Sequence, residues 1–285
     1  MRVMGLILAA ALAACSGVTG KLAPANPNPV AGDARGALQA YKEILAELGE
    51  APLGASDQAV RLKALRFAGD VSYLELGDYV GAISYYRRIV SIAPGTKDAR
   101  DARIVVGDIY RERFRDDLAA IAQYAEVAGS GAPEAPRYQL EVAKCYLELK
   151  NYEQARVEAR VLRDKWPMDP LAEEGQLLTA QAWSLEKRDD EAMRAFQALI
   201  DSHPRPETAA RALEGQAHIH AQANRFDRAL ELYALALPQH PNPEAIRTAI
   251  DAVRERREKM APALPGDKAT AFDHSKHKPS PRETP

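Results

Sequence analysis

Few side chains in this 285-residue sequence are spaced to do chemistry together. His218 and His220 lie two apart in a helical stretch and so point to different faces, a poor pair for a metal. His274 and His277 sit in a proline-rich tail and read as solvated linker. The acidic pairs Glu173-Glu174 and Asp189-Asp190 fall at a helix start and at a turn, where helix dipole and solvent account for them. Arg87-Arg88 and the Arg111/Arg113/Arg115 series read as solvated faces. No H-E-x-x-H, G-x-S-x-G or phosphate loop occurs, and the G-x-G at Gly129 follows no strand. The reading is therefore not an enzyme, with no catalytic residue, no cofactor and no metal. Of the two cysteines, Cys145 lies between Ala143 and Tyr146 in a helical pattern and reads as a small buried hydrophobe. Cys15 is the side chain with a chemical role to fill.

Residues 1–15, MRVMGLILAAALAAC, open with one arginine and continue as an apolar run too short to span a bilayer. A positive start, an apolar middle and a small-residue exit have the layout of a secretory signal. The exit, Leu12-Ala13-Ala14-Cys15, resembles the lipobox of bacterial lipoproteins. That resemblance implies a signal peptide over 1–14 and Cys15 as the first mature residue, carrying the lipid. Ser16 after it, rather than Asp, implies export to the outer membrane. Residues 15–33 combine the cysteine with a Pro/Gly-rich tether. With one cysteine left, secretion brings no disulfide framework.

The elements come from a repeated spacing. From Gln139 to Pro204 one pattern occurs twice: Ala143/Tyr146, Ala155, Ala159/Leu162, Pro167, then Ala180/Trp183, Ala192, Phe196/Leu199, Pro204. Separations of three, four and seven put these residues on one face of a helix, and the short polar gaps suit tight helix–helix turns. Mid-repeat alanines at 82, 120, 155, 192 and 229 step by 38, 35, 37 and 37 residues. This is helix–turn–helix repetition at tetratricopeptide length. The expected fold is all-α, a right-handed tetratricopeptide-repeat solenoid of about five helix pairs over 57–243. An N-terminal helix over 34–50, half a repeat or a separate helix, precedes it, with Ser56 or Asp57 as N-cap of the next. A capping helix over 244–260 closes the array and a disordered tail over 261–285 follows. The first two repeats each carry one residue more near the turn than the pattern allows, so their first helices are expected to be shifted.

Prolines followed by alanine-bearing spacers (PGTKDARDA, PMDPLAEEG, PRPETAARA, PNPEAIRTA), with these steps and the lipobox, resemble the BamD group of outer-membrane tetratricopeptide lipoproteins. The repeat part of CpoB proteins is similar too, and pilotin lipoproteins share the outline. The resemblance implies a lipid-anchored scaffold on the periplasmic side of the outer membrane, serving outer-membrane protein assembly. The alternative is a Tol–Pal or cell-wall coordinator, or a pilotin for pilus or secretin assembly. The implied partners are envelope proteins or peptide segments in a concave groove, and the membrane through the anchor. A net charge of −2 leaves no basic stripe for nucleic acid. Projecting the helical period places Ile104, Asp108, Arg111, Leu140, Lys144, Leu147, Leu177, Gln181, Glu214 and His218 along that groove, without the Lys/Asn set of a carboxylate clamp.

Overall fold

The computed structural model describes residues 33–260; the expected signal peptide over 1–14, Cys15, nearly all of the expected tether and the expected tail over 261–285 lie outside them. Twelve α-helices and no strand occur among the described residues. Helix α1 (Ala34–Leu48) is followed by five pairs. These are α2/α3 (Ala55–Asp70, Tyr79–Ile92), α4/α5 (Lys97–Ile109, Asp117–Ala128) and α6/α7 (Ala135–Glu148, Tyr152–Lys165). Then come α8/α9 (Leu171–Leu185, Asp189–Asp201) and α10/α11 (Pro206–Gln222, Phe226–Ala236), and α12 (Pro243–Met260) closes the stack.

Each helix packs on the one before and the one after it, so the core is a continuous seam rather than one central cluster. The seam is close because small residues mark every crossing: Ala82, Ala120, Ala155, Ala192 and Ala229 are all 0% exposed. Larger side chains fill the spaces beside them, Tyr124, Phe196, Leu162 and Leu199 among the fully enclosed ones. Burial of each such side chain contributes roughly 1.5–3 kcal/mol. The first helices also pack on one another, α6 on α8 and α8 on α10, while no second helix packs comparably on the next. The first helices thus form the tighter, inner side of the stack.

The ends are closed differently. Helix α1 takes the place of a second helix, burying Leu38, Tyr41, Ile44, Leu45 and Leu48 against α2. Arg61 of α2, itself buried, donates to the carbonyls of Leu48 and Ala51 at and just beyond the end of α1. Helix α2 starts at Ala55 with Gly54 as N-cap, so neither Ser56 nor Asp57 caps it; both fall inside its first turn. At the far end α12 buries only Ile246 and Val253 against the α10/α11 pair and leaves its other faces to water.

The extra residue of the first two pairs does not shift their first helices along the array. It is absorbed at the end of each as a π-helical turn, Val71–Glu75 and Tyr110–Phe114. In the last three pairs the amide that opens the second helix returns to a carbonyl five residues back: Asn151 to Tyr146, Arg188 to Trp183, Arg225 to His220. In the first two it returns six back, Asp78 to Ser72 and Asp116 to Tyr110, over the same kind of turn. One residue in the left-handed region precedes each second helix: Gly77, Arg115, Lys150, Lys187 and Asn224. Asp78, Asp116 and Asn151 then cap with their side chains.

Candidate protein-interaction surface

The inner face is built from α4, α6, α8 and α10, and the ten groove positions do not form one open surface. Leu140 and Leu177 are buried, at 4% and 0% exposure, and are core residues rather than groove residues. Leu140 packs with Ala143, Ala155, Ala159, Leu162 and Leu178; Leu177 packs with Ala180, Phe196, Leu199, Ala212 and Ile219. Leu140 is covered mainly by its own second helix, through Ala155, Ala159 and Leu162, and Leu177 by Phe196 and Leu199 of α9 together with Ala212 and Ile219 of α10. Ile104 and Leu147 are half-buried, packed on the Tyr124/Tyr138 cluster and on the α6–α8 seam respectively.

The polar positions are mostly committed within the molecule. Asp108 accepts the Tyr124 hydroxyl at 2.6 Å, so its carboxylate serves its own repeat. Burial pushes the Asp108 carboxyl above the ordinary carboxylate range, opposed by that hydrogen bond. Asp70 and Tyr86 repeat the arrangement in the first pair, also at 2.6 Å. In both, the phenol ring lies across a glycine, Gly69 or Gly107, to reach the carboxylate of the next residue.

Arg111 and Lys144 converge on Glu141, with Lys144 Nζ 2.8 Å from its Oε1 and Arg111 on Oε2. Burial alone would raise the Glu141 carboxyl; Lys144 and Arg111 outweigh it and hold the group below its ordinary value. Glu214 accepts from His240 Nε2 at 3.1 Å, and the exposed His218 touches Gln222. Gln181 remains partly exposed. Further pairs bridge successive first helices: Arg66 to Asp98 and Asp101, Arg211 to Glu174. Glu141 and this ladder are not legible from the helical period, because pairing across helices depends on their relative height. No cluster that could hold a metal occurs among the described residues, and no helix among them is long and apolar enough to cross a membrane.

A second surface lies along the turns of the first two pairs. The π turns bring Tyr73, Tyr79, Tyr110 and Phe114 into a chain of ring contacts with centroids 5.9–6.2 Å apart. Arg113 lies over Tyr73 and Tyr79, and Arg87 over Tyr110. Beside them a groove of about 720 Å³ opens between α3 and the α4–α5 turn. The sequence pattern assigns Arg87 and Arg113 to solvent because aromatic partners across a turn leave no periodic signal.

With this geometry in place, the comparisons with known proteins bear on the fold. Residues 109–170 and 182–244 match the tetratricopeptide repeat model. The fold is a tetratricopeptide-repeat solenoid. No curated protein sequence matches the chain. Among solved structures, MamA is 14% identical, covers 72% of this chain and 98% of its own, with a TM-score of 0.49. YrrB, described as a tetratricopeptide protein with an unusual peptide-binding site, is 14% identical (70% and 98% covered, TM-score 0.47). PilW, a type IV pilus biogenesis factor, is 18% identical (83% and 100% covered, TM-score 0.45). These are likenesses of helical-repeat shape, at identities too low to convey a partner or a process.

Proposed function

We propose that the chain is a non-catalytic scaffold, held to the periplasmic side of the outer membrane through a lipid on Cys15, that gathers proteins of an envelope machine. The process we assign to it is outer-membrane protein assembly. The observation that supports the anchor is the sequence Leu12-Ala13-Ala14-Cys15 at the end of a short apolar run, with a Pro/Gly-rich spacer between it and the helical stack. Multiple acyl chains on one cysteine would hold the protein stably, where a single chain holds only marginally. The repeat architecture supports a binding role, since its described side chains are spent largely on packing and inter-helix pairing.

Metabolic labelling with a fatty-acid analogue tests the anchor: the wild type should label and Cys15→Ser should not, and an unlabelled wild type refutes it. Depletion tests the process. Outer-membrane barrels should fall together; normal barrels with lost pili or defective division would move the assignment to a pilotin or a Tol–Pal coordinator.

A further inference from the structure

We propose that the groove between α3 and the α4–α5 turn docks a protein segment carrying a bulky apolar side chain beside an aspartate or glutamate. The inference rests on the scaffold reading and supplies it with a site off the inner face of the helices.

The apolar half of the site departs from the local rule. The second residue of each second helix is acidic in the last three pairs, Glu153, Asp190 and Asp227, as the helix dipole favours. In the first two pairs it is Val80 and Leu118, 70% and 64% exposed. Val80 and Phe114, 44% exposed, wall the groove over the buried Ile83. The π turn is what carries Phe114 there, and π turns inside α-helices concentrate at functional positions.

The charged half carries two arginines, Arg87 and Arg88. Among the described residues Arg87, which lines the groove, has no carboxylate partner; its guanidinium reaches the Tyr110 hydroxyl, at 2.8 Å, and the Tyr110 ring. Arg88 beside it meets Glu50, an exposed residue of the loop after α1, in a pair of the kind worth about 0–1 kcal/mol and readily exchanged. The acidic residue of the lining, Asp116, is occupied in capping α5 through the Ala119 amide. An incoming carboxylate would therefore meet the Arg87 guanidinium beside an apolar wall, and a bidentate bond from one arginine is both strong and directional.

The test selects a displayed random dodecapeptide library on the full chain and measures the enriched peptides by fluorescence anisotropy. Expected are sequences pairing Asp or Glu with Trp, Phe or Leu. Their binding should weaken at least tenfold in Arg87→Glu and in Phe114→Ser, and weaken with added salt, while circular dichroism is unchanged. Lys144→Glu combined with Gln181→Arg, on the inner face, should bind them as the wild type does. Peptides lost in that pair but kept in Arg87→Glu would overturn the groove and leave the scaffold reading standing. Failure to enrich any acidic–apolar peptide would overturn the groove as well. So would a dimer in sedimentation that Phe114→Ser dissolves, since a second copy would then be the occupant.

Discussion

Gly107→Ala should destabilise the protein although alanine is the better helix former. A Cβ built on Gly107 falls 2.5 Å from Cε1 of Tyr124, 2.9 Å from Cδ1 and 3.0 Å from Cζ, where ordinary contact is 3.4–4 Å. The ring would have to retreat by about 1 Å, the gap between those distances. Its other side is blocked by Tyr138, with ring centroids 5.4 Å apart, and its hydroxyl is held 2.6 Å from Asp108. Forcing a methyl into such a site costs about 1–3 kcal/mol. Disturbing a hydrogen bond to an ionised acceptor puts a further contribution at risk, about 1.5–3 kcal/mol at most. The gain in helix propensity is only about 1 kcal/mol. The net expectation is a loss of about 2 kcal/mol, or a melting point lower by about 4–8 °C for a chain of this size. Thermal and urea unfolding measure it. In a Tyr124→Leu background the same alanine should be tolerated, because the obstructing ring is gone. At the equivalent Ala143, buried in a cluster with Ala155, Ala159 and Leu162, the reverse exchange Ala143→Gly should cost about 1 kcal/mol. A Gly107→Ala protein as stable as the wild type would refute the close-approach account of this glycine.

Three further outcomes follow from the same contacts. Because the folded Asp108 pKa is raised, the stability it contributes is full below the unfolded pKa and is lost as pH rises through the folded one. Asp108→Asn, which keeps an acceptor for Tyr124, should therefore be more stable than the wild type at neutral pH, with the advantage shrinking on acidification; Asp108→Ala should not. Glu141 has the opposite sign: its depressed pKa gives stability present above the unfolded value and lost as pH falls through the folded one. Glu141→Gln should then cost about 1 kcal/mol at neutral pH and less in acid, with a double-mutant cycle against Arg111→Met assigning the coupling. Deleting Glu112 should convert the second π turn to the shorter turn of the last three pairs and leave helix content and melting close to wild type; an unfolded product would show that the insertion is structural.

What is legible in the sequence follows from how each feature is encoded. Mid-repeat alanines, a period of 35–38 residues and closing prolines are local and repeated, so spacing alone delimits the pairs, and the alanines are fully buried as such crossings need. The inner face is less legible. The helical period gives a direction around one helix but not the height of its neighbours, so it aims at a groove two leucines, Leu140 and Leu177, that packing on α7 to α10 buries. The same limit hides Glu141, whose two cations come from different pairs. It also hides Arg156, buried against Trp183 at 3.5 Å from the ring centroid and paired with Glu186. Stacking across a turn leaves no trace in spacing.

The irregular repeats, which the sequence shows only as a departure from the pattern, are where the proposed binding groove lies. A pair that only has to stack manages with the shorter turn, as the last three pairs do. In the first two pairs the insertion, the apolar residues Val80 and Leu118 and the Gly–Asp–Tyr unit occur together. Each has its own physical role: the tyrosine needs the glycine to cross the helix, the aspartate fixes the tyrosine hydroxyl, and the π turn carries Phe114 outward beyond that fixed point. The inner parts of the set hold the turn rigid; the outer parts expose apolar side chains that water does not favour. Local rules are broken together at one place when something other than packing selects them. The two irregular pairs are accordingly where we propose recognition, and the three regular pairs with α12 form the capped remainder of the stack.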